Sequence, residues 1–307
     1  MQITETSAEE YGRLFVNLPH IYNSVEFSEL NRHKAESLHY LLFKDTKVRF
    51  GIVLGERNGV LYSPFSAPFG GFTANRHQQF DVIDDAAKAL SEYAKKTGKR
   101  IVITLPPLFY DEWRLPCIAN ALSRVAKSAT FDVNYHFCLS DFANYDAVVK
   151  PNSKRNLHQA MKGELCFKAI GKNDIEGITR AFEVIRRHKA ERGYPLRMSY
   201  EDVMDTIKII PADFFLITYK NIDIAAAQIF HSATDICQLI YWGYLRDFAH
   251  LRPMNFLAYN IFKYYSMQGV GILDLGPSTE SGIPNFGLCS FKESIGCRSS
   301  LKLTFEL

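Results

Sequence analysis

The sequence lacks the short motifs by which many enzymes and metal sites are recognised. Its six cysteines include no CxxC pair and have no histidine at ligand spacing, so reduced thiols and no metal are predicted. It contains no P-loop, no G-x-S-x-G elbow and no HExxH motif. Chemistry that depends on those motifs is therefore excluded.

Long apolar runs are also missing. No stretch of about 18 apolar residues occurs, and the N-terminal MQITETSAEE has no basic segment followed by an apolar one. The net charge of +3 permits an anionic ligand, but it falls short of the strong basic signature of most nucleic-acid-binding proteins. We therefore expect a cytoplasmic protein without an integral membrane segment. Nothing in the sequence indicates its oligomeric state.

The chain does contain a weak internal repeat. Apolar residues at helical spacing predict a helix over 80–97, which Gly98 ends before an apolar strand. The same design returns over 254–268, where Gly269 ends the helix before the strand 272–275. In both halves a proline follows at the same distance from the capping glycine. Such self-similarity predicts a duplicated structural unit.

Three predicted strands precede the helix in each half. LHYLLFKD, VRFGIVLGE and VLYSPFS form the first set, with Asn58-Gly59 suited to a tight hairpin turn. FFLITYK, IDIAAAQIFH and ICQLIYWGYL form the second, with a turn at Asn221. Late strands are predicted at FDVNYHFCLS in one half and at LCSFKES and LKLTFEL in the other. The predicted fold class is α+β, with two tandem domains over residues 1–145 and 146–307.

The order of elements resembles the fold of the GCN5-related N-acetyltransferases (GNAT), a mixed, mainly antiparallel sheet flanked by helices. The tandem duplication, together with SPFSAPFGGF, SKRNLHQAMKGEL, HKAERGYPLRMS and LDLGPSTESGIPNFGLCSFKESIG, is similar to the Fem-type aminoacyltransferases of bacterial cell-wall branching. The resemblance covers nearly the whole chain. It implies two GNAT-like domains, the second holding the active site and the first supporting it on the acceptor side.

The activity that the resemblance implies is transfer of an aminoacyl or other activated acyl group to an amine of a peptidoglycan precursor. The donor would be aminoacyl-tRNA or acyl-coenzyme A, the acceptor a nucleotide- or lipid-linked amine, and no cofactor would be bound permanently.

One alternative is a coenzyme-A-dependent N-acetyltransferase acting on a small amine or amino sugar. The glycine-rich pyrophosphate loop of those enzymes is missing, since no glycine lies between Gly243 and Gly269. The other alternative is a tandem ligand-binding protein without catalysis.

Two residues near the C-terminus are the candidate catalytic groups. Asp274 lies in an apolar strand, where a carboxylate is costly unless it is paired, and it could orient an amine or cap the following turn. Lys292 reads by itself as a solvated strand lysine. The resemblance instead implies that the Lys292 ammonium faces the reaction site, where it would bind phosphate or stabilise an oxyanion.

Other residues are predicted to bind substrate. Arg252 precedes Pro253 at the start of the second-half helix, whose free N–H groups attract anions, and Asn255 lies at the same end. The loop after Asp274 supplies a further set of polar side chains, Ser278, Thr279 and Asn285.

Two further segments carry candidate binding residues. Lys154 and Arg155 belong to a basic helical stripe that could meet phosphates, or could simply be solvated. In the first half, a loop with two consecutive glycines could let the backbone approach a ligand, or could be a plain tight turn; its candidates are Tyr62, Phe69, Gly70 and Gly71.

Overall fold

The computed structural model describes residues 1–307, and the chain divides into two compact units. Unit 1 comprises Met1–Val133, Thr279–Ile283 and Ser300–Leu307, and unit 2 comprises Asn134–Ser278 and Pro284–Ser299. These boundaries differ from the division predicted at 145. Residues 134–145 belong to unit 2, and the last strand belongs to unit 1 because it pairs with a strand of that unit.

The elements of unit 1 follow the predicted order. Its strands are β1 (Gln2–Thr6), β2 (Ser37–Lys44), β3 (Val48–Arg57), β4 (Val60–Ser63), β5 (Arg100–Thr104) and the beginning of β6 (Ser128–Cys138). Its helices are α1 (Ala8–Leu14), α2 (Val25–Leu30), α3 (Phe80–Thr97) and α4 (Arg114–Ser123). The strands β1 to β5 pair in chain order, antiparallel except for the parallel pair β4 and β5.

Unit 2 repeats this design. Its helices are α5 (Tyr145–Val148), α6 (Pro151–Met161), α7 (Ile175–Glu191), α8 (Tyr200–Thr206), α9 (Pro253–Met267) and α10 (Phe286–Ser294). After β6, its strands are β7 (Leu165–Ile170), β8 (Ala212–Tyr219), β9 (Ile222–Ala233), β10 (Ile236–Tyr244) and β11 (Ile272–Pro277). The short β12 (Thr279–Glu280) and β13 (Ile283–Pro284) follow, and β14 (Arg298–Glu306) returns to unit 1, where it lies antiparallel to β5.

Local sequence signals explain the turns and helix ends. Asn58 and Gly59 have φ of 50° and 72°, and Lys220 and Asn221 have φ of 48° and 64°, which confirms both predicted hairpin turns. Gly98 ends α3 in the left-handed conformation at φ 67°, where a side chain would be strained. The repeat read from the sequence is therefore present in the structure as two similar α+β units.

Small residues on β9 let helices pack on both faces of the sheet of unit 2. Ala225, Ala226 and Ala227 are fully buried. Because side chains alternate along a strand, Ala225 and Ala227 join the core beneath α9, while Ala226 joins the core beneath α7. The two helices are thereby held close to the strands that carry the site described below.

One predicted strand is wrong. LCSFKES lies in the helix α10, and Lys292 is consequently a helical residue. The Asn285 side chain caps the helix by accepting a hydrogen bond from the amide of Leu288 at 3.1 Å. Leu288, Phe291 and Ile295 recur at helical spacing, but so short an apolar run reads equally well as a strand. The other late strands, FDVNYHFCLS and LKLTFEL, are confirmed as β6 and β14.

Candidate functional site

The sheet of unit 2 opens where two parallel strands part. β10 and β11 pair from Ile236 to Gln238, opposite Ile272 to Asp274, and their pairing ends there. β10 continues to Tyr244 beside β9, while β11 continues beside β6. In α/β sheets, ligands commonly bind where the carboxyl ends of neighbouring strands diverge. This opening is therefore the natural place for a site.

A cavity of about 620 Å³ lies at the open end of β10. Its walls come from α7 and the turn after it, the end of β10, the start of α9, and the start of α10. The lining residues include His188, Lys189, Arg192, Tyr194, Trp242, Gly243, Tyr244, Arg252, Asn255, Asn285 and Phe291. The indole of Trp242 meets the ring of Phe291 edge-on, with 5.6 Å between ring centroids, and gives the cavity an aromatic side.

The charges in the cavity all have one sign. Lys189, Arg192 and Arg252 line it, and neither aspartate nor glutamate does. The Lys189 ammonium lies 5.5 Å from the ring of Tyr241, and burial, assisted by Arg197, lowers the pKa of Lys189. A cavity of this kind favours an anionic ligand.

The start of α9 contributes to the same cavity. Arg252 precedes Pro253 with φ 57°, a left-handed conformation that is uncommon for a residue with a side chain. The helix thus begins at the cavity wall, where its free N–H groups and positive dipole end add to the cationic character. The Asn255 amide donates a hydrogen bond to the Ser153 hydroxyl at 3.2 Å.

The His188 ring packs closely against β10 at Gly243. A Cβ added to Gly243 would overlap the His188 ring, so only glycine at position 243 lets the imidazole approach the backbone of β10. Nδ1 of His188 lies 3.1 Å from the amide nitrogen of Tyr244. Burial is the main cause that lowers the pKa of His188, so the ring is neutral at pH 7.

The predicted catalytic residues lie elsewhere in unit 2. Lys292 is only 1% exposed, which is incompatible with a solvated strand residue, and its ammonium donates to the carbonyl oxygens of Gly276 at 2.8 Å and Pro277 at 3.2 Å. Asp274 is fully buried, and its carboxylate accepts hydrogen bonds from Asn134 at 2.7 Å, Gln238 at 2.9 Å and the amide of Gly276 at 2.9 Å.

Both side chains thus hold the backbone that follows β11. The bond from the Gly276 amide confirms the turn-capping interpretation of Asp274, and neither Asp274 nor Lys292 lines the cavity. Their catalytic roles stay predictions.

The predicted binding residues are distributed over several places. Arg252, Asn255 and Asn285 line the cavity together. Ser278 is buried, and its carbonyl accepts a hydrogen bond from the Asn285 amide at 2.9 Å. In unit 1 the Thr279 hydroxyl donates to the Asp132 carboxylate at 2.6 Å. The first group is thus brought together, the Thr279 hydroxyl is engaged by the protein itself, and the Ser278 hydroxyl is buried without a hydrogen-bond partner.

Lys154 and Arg155 line a separate, shallow concavity on α6. Lys154 forms an ion pair with Asp146 at 3.0 Å, and Arg155 donates to the Asn152 side chain at 2.7 Å. Exposed pairs of this type contribute little to stability, about 0–1 kcal/mol, and the face remains basic.

The aromatic loop of unit 1 is packed tightly. Phe69 is fully buried, with its ring 4.9 Å from that of His20. The Ser63 hydroxyl accepts a hydrogen bond from the Gly71 amide at 2.9 Å, and a Cβ on Gly70 would lie 2.8 Å from the same hydroxyl oxygen. Tyr62 lies under the guanidinium of Arg57 at 4.9 Å. Close packing thus requires glycine at position 70, and the φ of 96° favours glycine at position 71.

Sequence reasoning missed His188, Arg192, Trp242 and Phe291 as cavity residues. The signals for the first three were present in HKAERG and IYWGYL, where basic and aromatic residues end an amphipathic helix and a strand, whereas Phe291 lies in the segment LCSFKES, for which the sequence predicts a strand. Their proximity depends on α7 packing against β10, which no local pattern reveals.

Replacement of Gly243 by alanine is expected to lower the free energy of unfolding by about 1–3 kcal/mol, because the new methyl group displaces the His188 ring. Urea unfolding followed by circular dichroism measures this loss. Gly287→Ala is the matched control in the same cavity, since its Cβ would meet only the Asn285 side chain, at 3.6 Å, and the helix α10 gains an alanine. Equal stability of Gly243→Ala and the unmodified protein would contradict the tight packing of His188.

Solved structures resemble the chain over nearly its whole length. FemX aligns with 100% of this chain and 98% of its own at a TM-score of 0.68 and 11% identity. The C-terminal domain of a putative lysylphosphatidylglycerol synthetase from Agrobacterium fabrum covers 97% of this chain and 92% of its own, with a TM-score of 0.64 and 11% identity. A tandem GNAT protein from the clavulanic acid biosynthesis pathway covers 100% and 98%, with a TM-score of 0.55 and 10% identity.

The predicted fold is thereby confirmed: the chain has the Fem-like tandem GNAT fold, of class α+β. No protein-family model matches the sequence, and no curated protein matches it either. None of its helices combines the length and the apolar character required to cross a membrane.

Proposed function

We propose that this protein is an N-acyltransferase that moves an aminoacyl group, or another activated acyl group, to an amine of a cell-envelope precursor. The all-cationic cavity of unit 2 is the observation that carries this proposal. Aminoacyl-tRNA and acyl-coenzyme A both carry phosphates, which such a cavity attracts. The acyltransferase fold supports the same reaction class. A role for unit 1 in acceptor binding stays a prediction.

The donor would lie along the cavity with its phosphate at the start of α9, where Arg252 and the first N–H groups of the helix converge. Trp242 and Phe291 offer a flat apolar surface for the remainder of the donor. Its carbonyl would then lie beside the open end of β10. Bringing an amine and a carbonyl together in this way removes most of the entropic barrier of a two-substrate reaction.

The two donors place different demands on the turn before α9. Here Arg246–Leu251 form a short 3₁₀ helix without a glycine, so the turn offers no glycine-rich loop for the pyrophosphate of coenzyme A. This observation favours aminoacyl-tRNA over acyl-coenzyme A. Acyl-coenzyme A stays the alternative donor, because a tandem GNAT protein is among the solved structures with a similar fold.

Tryptophan fluorescence can report donor binding directly. The chain has two tryptophans; Trp242 lines the cavity, whereas Trp113 is 82% exposed in unit 1. In a Trp113→Phe protein, titration with charged tRNA, acetyl-coenzyme A or coenzyme A should change the emission of Trp242. A Trp242→Phe protein is the control and should give no response from the cavity. If none of these three ligands changes the emission, the donor site is wrong.

Arg252→Gln is expected to weaken donor binding at least about tenfold, because one charge-assisted contact to phosphate is lost. The same fluorescence titration in the Trp113→Phe background measures the change. Arg186→Gln is the matched control, since Arg186 lies on α7 outside the cavity and pairs with Glu183 at 2.8 Å. Equal weakening by both substitutions would point to general electrostatics rather than to a site at α9.

A further inference from the structure

We infer that His188 is a catalytic residue of the proposed transfer, donating a hydrogen bond from Nε2 to the acyl carbonyl oxygen while negative charge develops there. This inference rests on the proposed function and adds a group that neither the motifs nor the resemblance singled out. It follows from the orientation of the ring, from its hydrogen bonds and from its place in the cavity.

The backbone of β10 at Gly243 and Tyr244 fixes the position of the His188 ring. His188 is a cavity residue on α7, and its Cγ, Cδ2 and Nδ1 face the Cα of Gly243 on β10. Gly243 leaves the space that the ring occupies. The imidazole therefore reaches the open end of β10, the same place where the donor carbonyl is expected.

The hydrogen bonds of Tyr244 select the tautomer. The Leu245 amide donates to the Ile224 carbonyl at 2.9 Å, and because hydrogen-bonded pairs alternate along antiparallel strands, the Tyr244 amide points away from β9. It donates instead to Nδ1 of His188 at 3.1 Å. The Tyr244 carbonyl, which lies 3.0 Å from Nδ1, accepts from the Arg192 guanidinium at 3.4 Å.

A proton on Nδ1 would leave the Tyr244 amide, which points away from β9, without an acceptor in the protein, which is costly where water is excluded. The proton of the neutral ring therefore belongs on Nε2, which makes no hydrogen bond with the protein. Burial is the largest cause and lowers the pKa of His188, the contact with the Tyr244 backbone opposes it, and Arg192 and Lys189 add to the lowering, so the net shift favours the neutral ring. His188 thus presents one unused N–H donor at the cavity.

This donor fits a definite step. The acceptor amine attacks the carbonyl carbon, and the carbonyl π electrons move to oxygen, where the Nε2–H stabilises them. When the C=O bond re-forms, the bond to the thiolate or ribose oxygen of the donor breaks, and that leaving group takes the proton released by the amine. The imidazole keeps its proton throughout. It acts as an electrophile and requires no charged form.

Nitrogen NMR tests the tautomer of the His188 ring without any substrate. The nine histidines of the protein are labelled with a heavy nitrogen isotope in their rings. We expect a neutral ring protonated at Nε2 at pH 7.5, assigned by its disappearance in His188→Asn. A ring protonated at Nδ1, or a charged ring, would overturn the inference whatever the protein catalyses.

Two substitutions distinguish the roles of the two ring nitrogens of His188. His188→Asn keeps an acceptor near Nδ1 and loses the Nε2 donor, and should lower turnover roughly 100-fold. His188→Gln can place an amide N–H near Nε2 and should recover much of that loss. Both variants, checked for folding, should bind the donor with unchanged affinity by Trp242 fluorescence. His250→Asn, in the exposed turn before α9, is the matched control and should keep full turnover.

Normal turnover in His188→Asn would overturn the role of His188 while leaving the proposed function intact. A protein that binds donor but transfers no acyl group, even unmodified, would overturn the proposed function and this role together.

Discussion

Replacement of Lys292 by alanine is expected to lower the free energy of unfolding by about 3 kcal/mol. The side chain is almost completely buried, and its ammonium donates to the carbonyls of Gly276 and Pro277. Its removal leaves a void and two carbonyls without that donor, each change costing on the order of 1–3 kcal/mol. The substitution also removes the unfavourable desolvation of the buried ammonium, and this offsets part of the loss. Urea unfolding at pH 7 measures the difference.

The pH dependence gives a second, sharper test of Lys292. Burial lowers the pKa of Lys292 from 10.5 to about 8, against the opposing influence of Asp274. Between these values the unfolded chain holds a proton that the folded protein has released, so stability rises with pH across the window. A neutral amine still has two N–H donors for the two carbonyls. The contribution of Lys292 to the free energy of unfolding should increase by up to about 3 kcal/mol between pH 8 and 10.5.

Lys292→Met is the control for this titration, because it keeps most of the volume and cannot titrate. The difference in unfolding free energy between the unmodified protein and Lys292→Met should grow over the same pH range. A flat difference would show that Lys292 does not titrate as a buried group. If Lys292 instead acts only at the reaction site, as the sequence resemblance implies, Lys292→Ala should lose turnover with unaltered stability.

Asp274→Ala is expected to cost about 3–5 kcal/mol of unfolding free energy. The carboxylate is fully buried and accepts hydrogen bonds from Asn134, Gln238 and the Gly276 amide. Without it these buried donors lose their acceptor, and the penalty for unpaired buried donors exceeds the net value of the bonds. The unfolding free energy of Asp274→Asn should lie between those of the unmodified protein and Asp274→Ala. Its carboxamide oxygen still accepts a hydrogen bond, while its NH₂ group faces a donor.

Asp235→Ala is the matched control at the other end of β11. Its exposed side chain accepts a hydrogen bond from the Gly271 amide at 2.7 Å, so its loss should cost only about 1 kcal/mol. Denaturation of all three variants under one set of conditions compares them directly. A cost for Asp274→Ala no larger than that of the control would contradict its role in holding the strands of unit 2 together.

The fold could be predicted because its signals are local and repeated. Gly98 and Gly269 end equivalent helices, and the turns at Asn58 and Asn221 follow from residues that tolerate positive φ. The N-terminal end of α9, with Arg252, was identified for the same reason. Such features depend on a few neighbouring residues, and the duplication provides the hairpin turns and the capping glycines twice.

The remainder of the site depends on contacts between distant segments. Whether FGLCSFKES forms a helix or a strand is decided by the packing of its apolar side, and with it the burial of Lys292. His188 and Gly243 meet only because α7 lies across β10. No local sequence pattern identifies either His188 or Gly243 as a residue of the site. A lysine in an apolar stretch can be a reactive group or a support, and only its surroundings distinguish the two.

The return of β14 to unit 1 has a consequence for how the chain folds during synthesis. Leu303, Phe305 and Leu307 fill the core of unit 1, where each buried apolar side chain contributes about 1.5–3 kcal/mol. All residues of unit 2 leave the ribosome before these three do. Unit 1 therefore cannot complete its core until β14 has been made, although most of its residues are synthesised before those of unit 2.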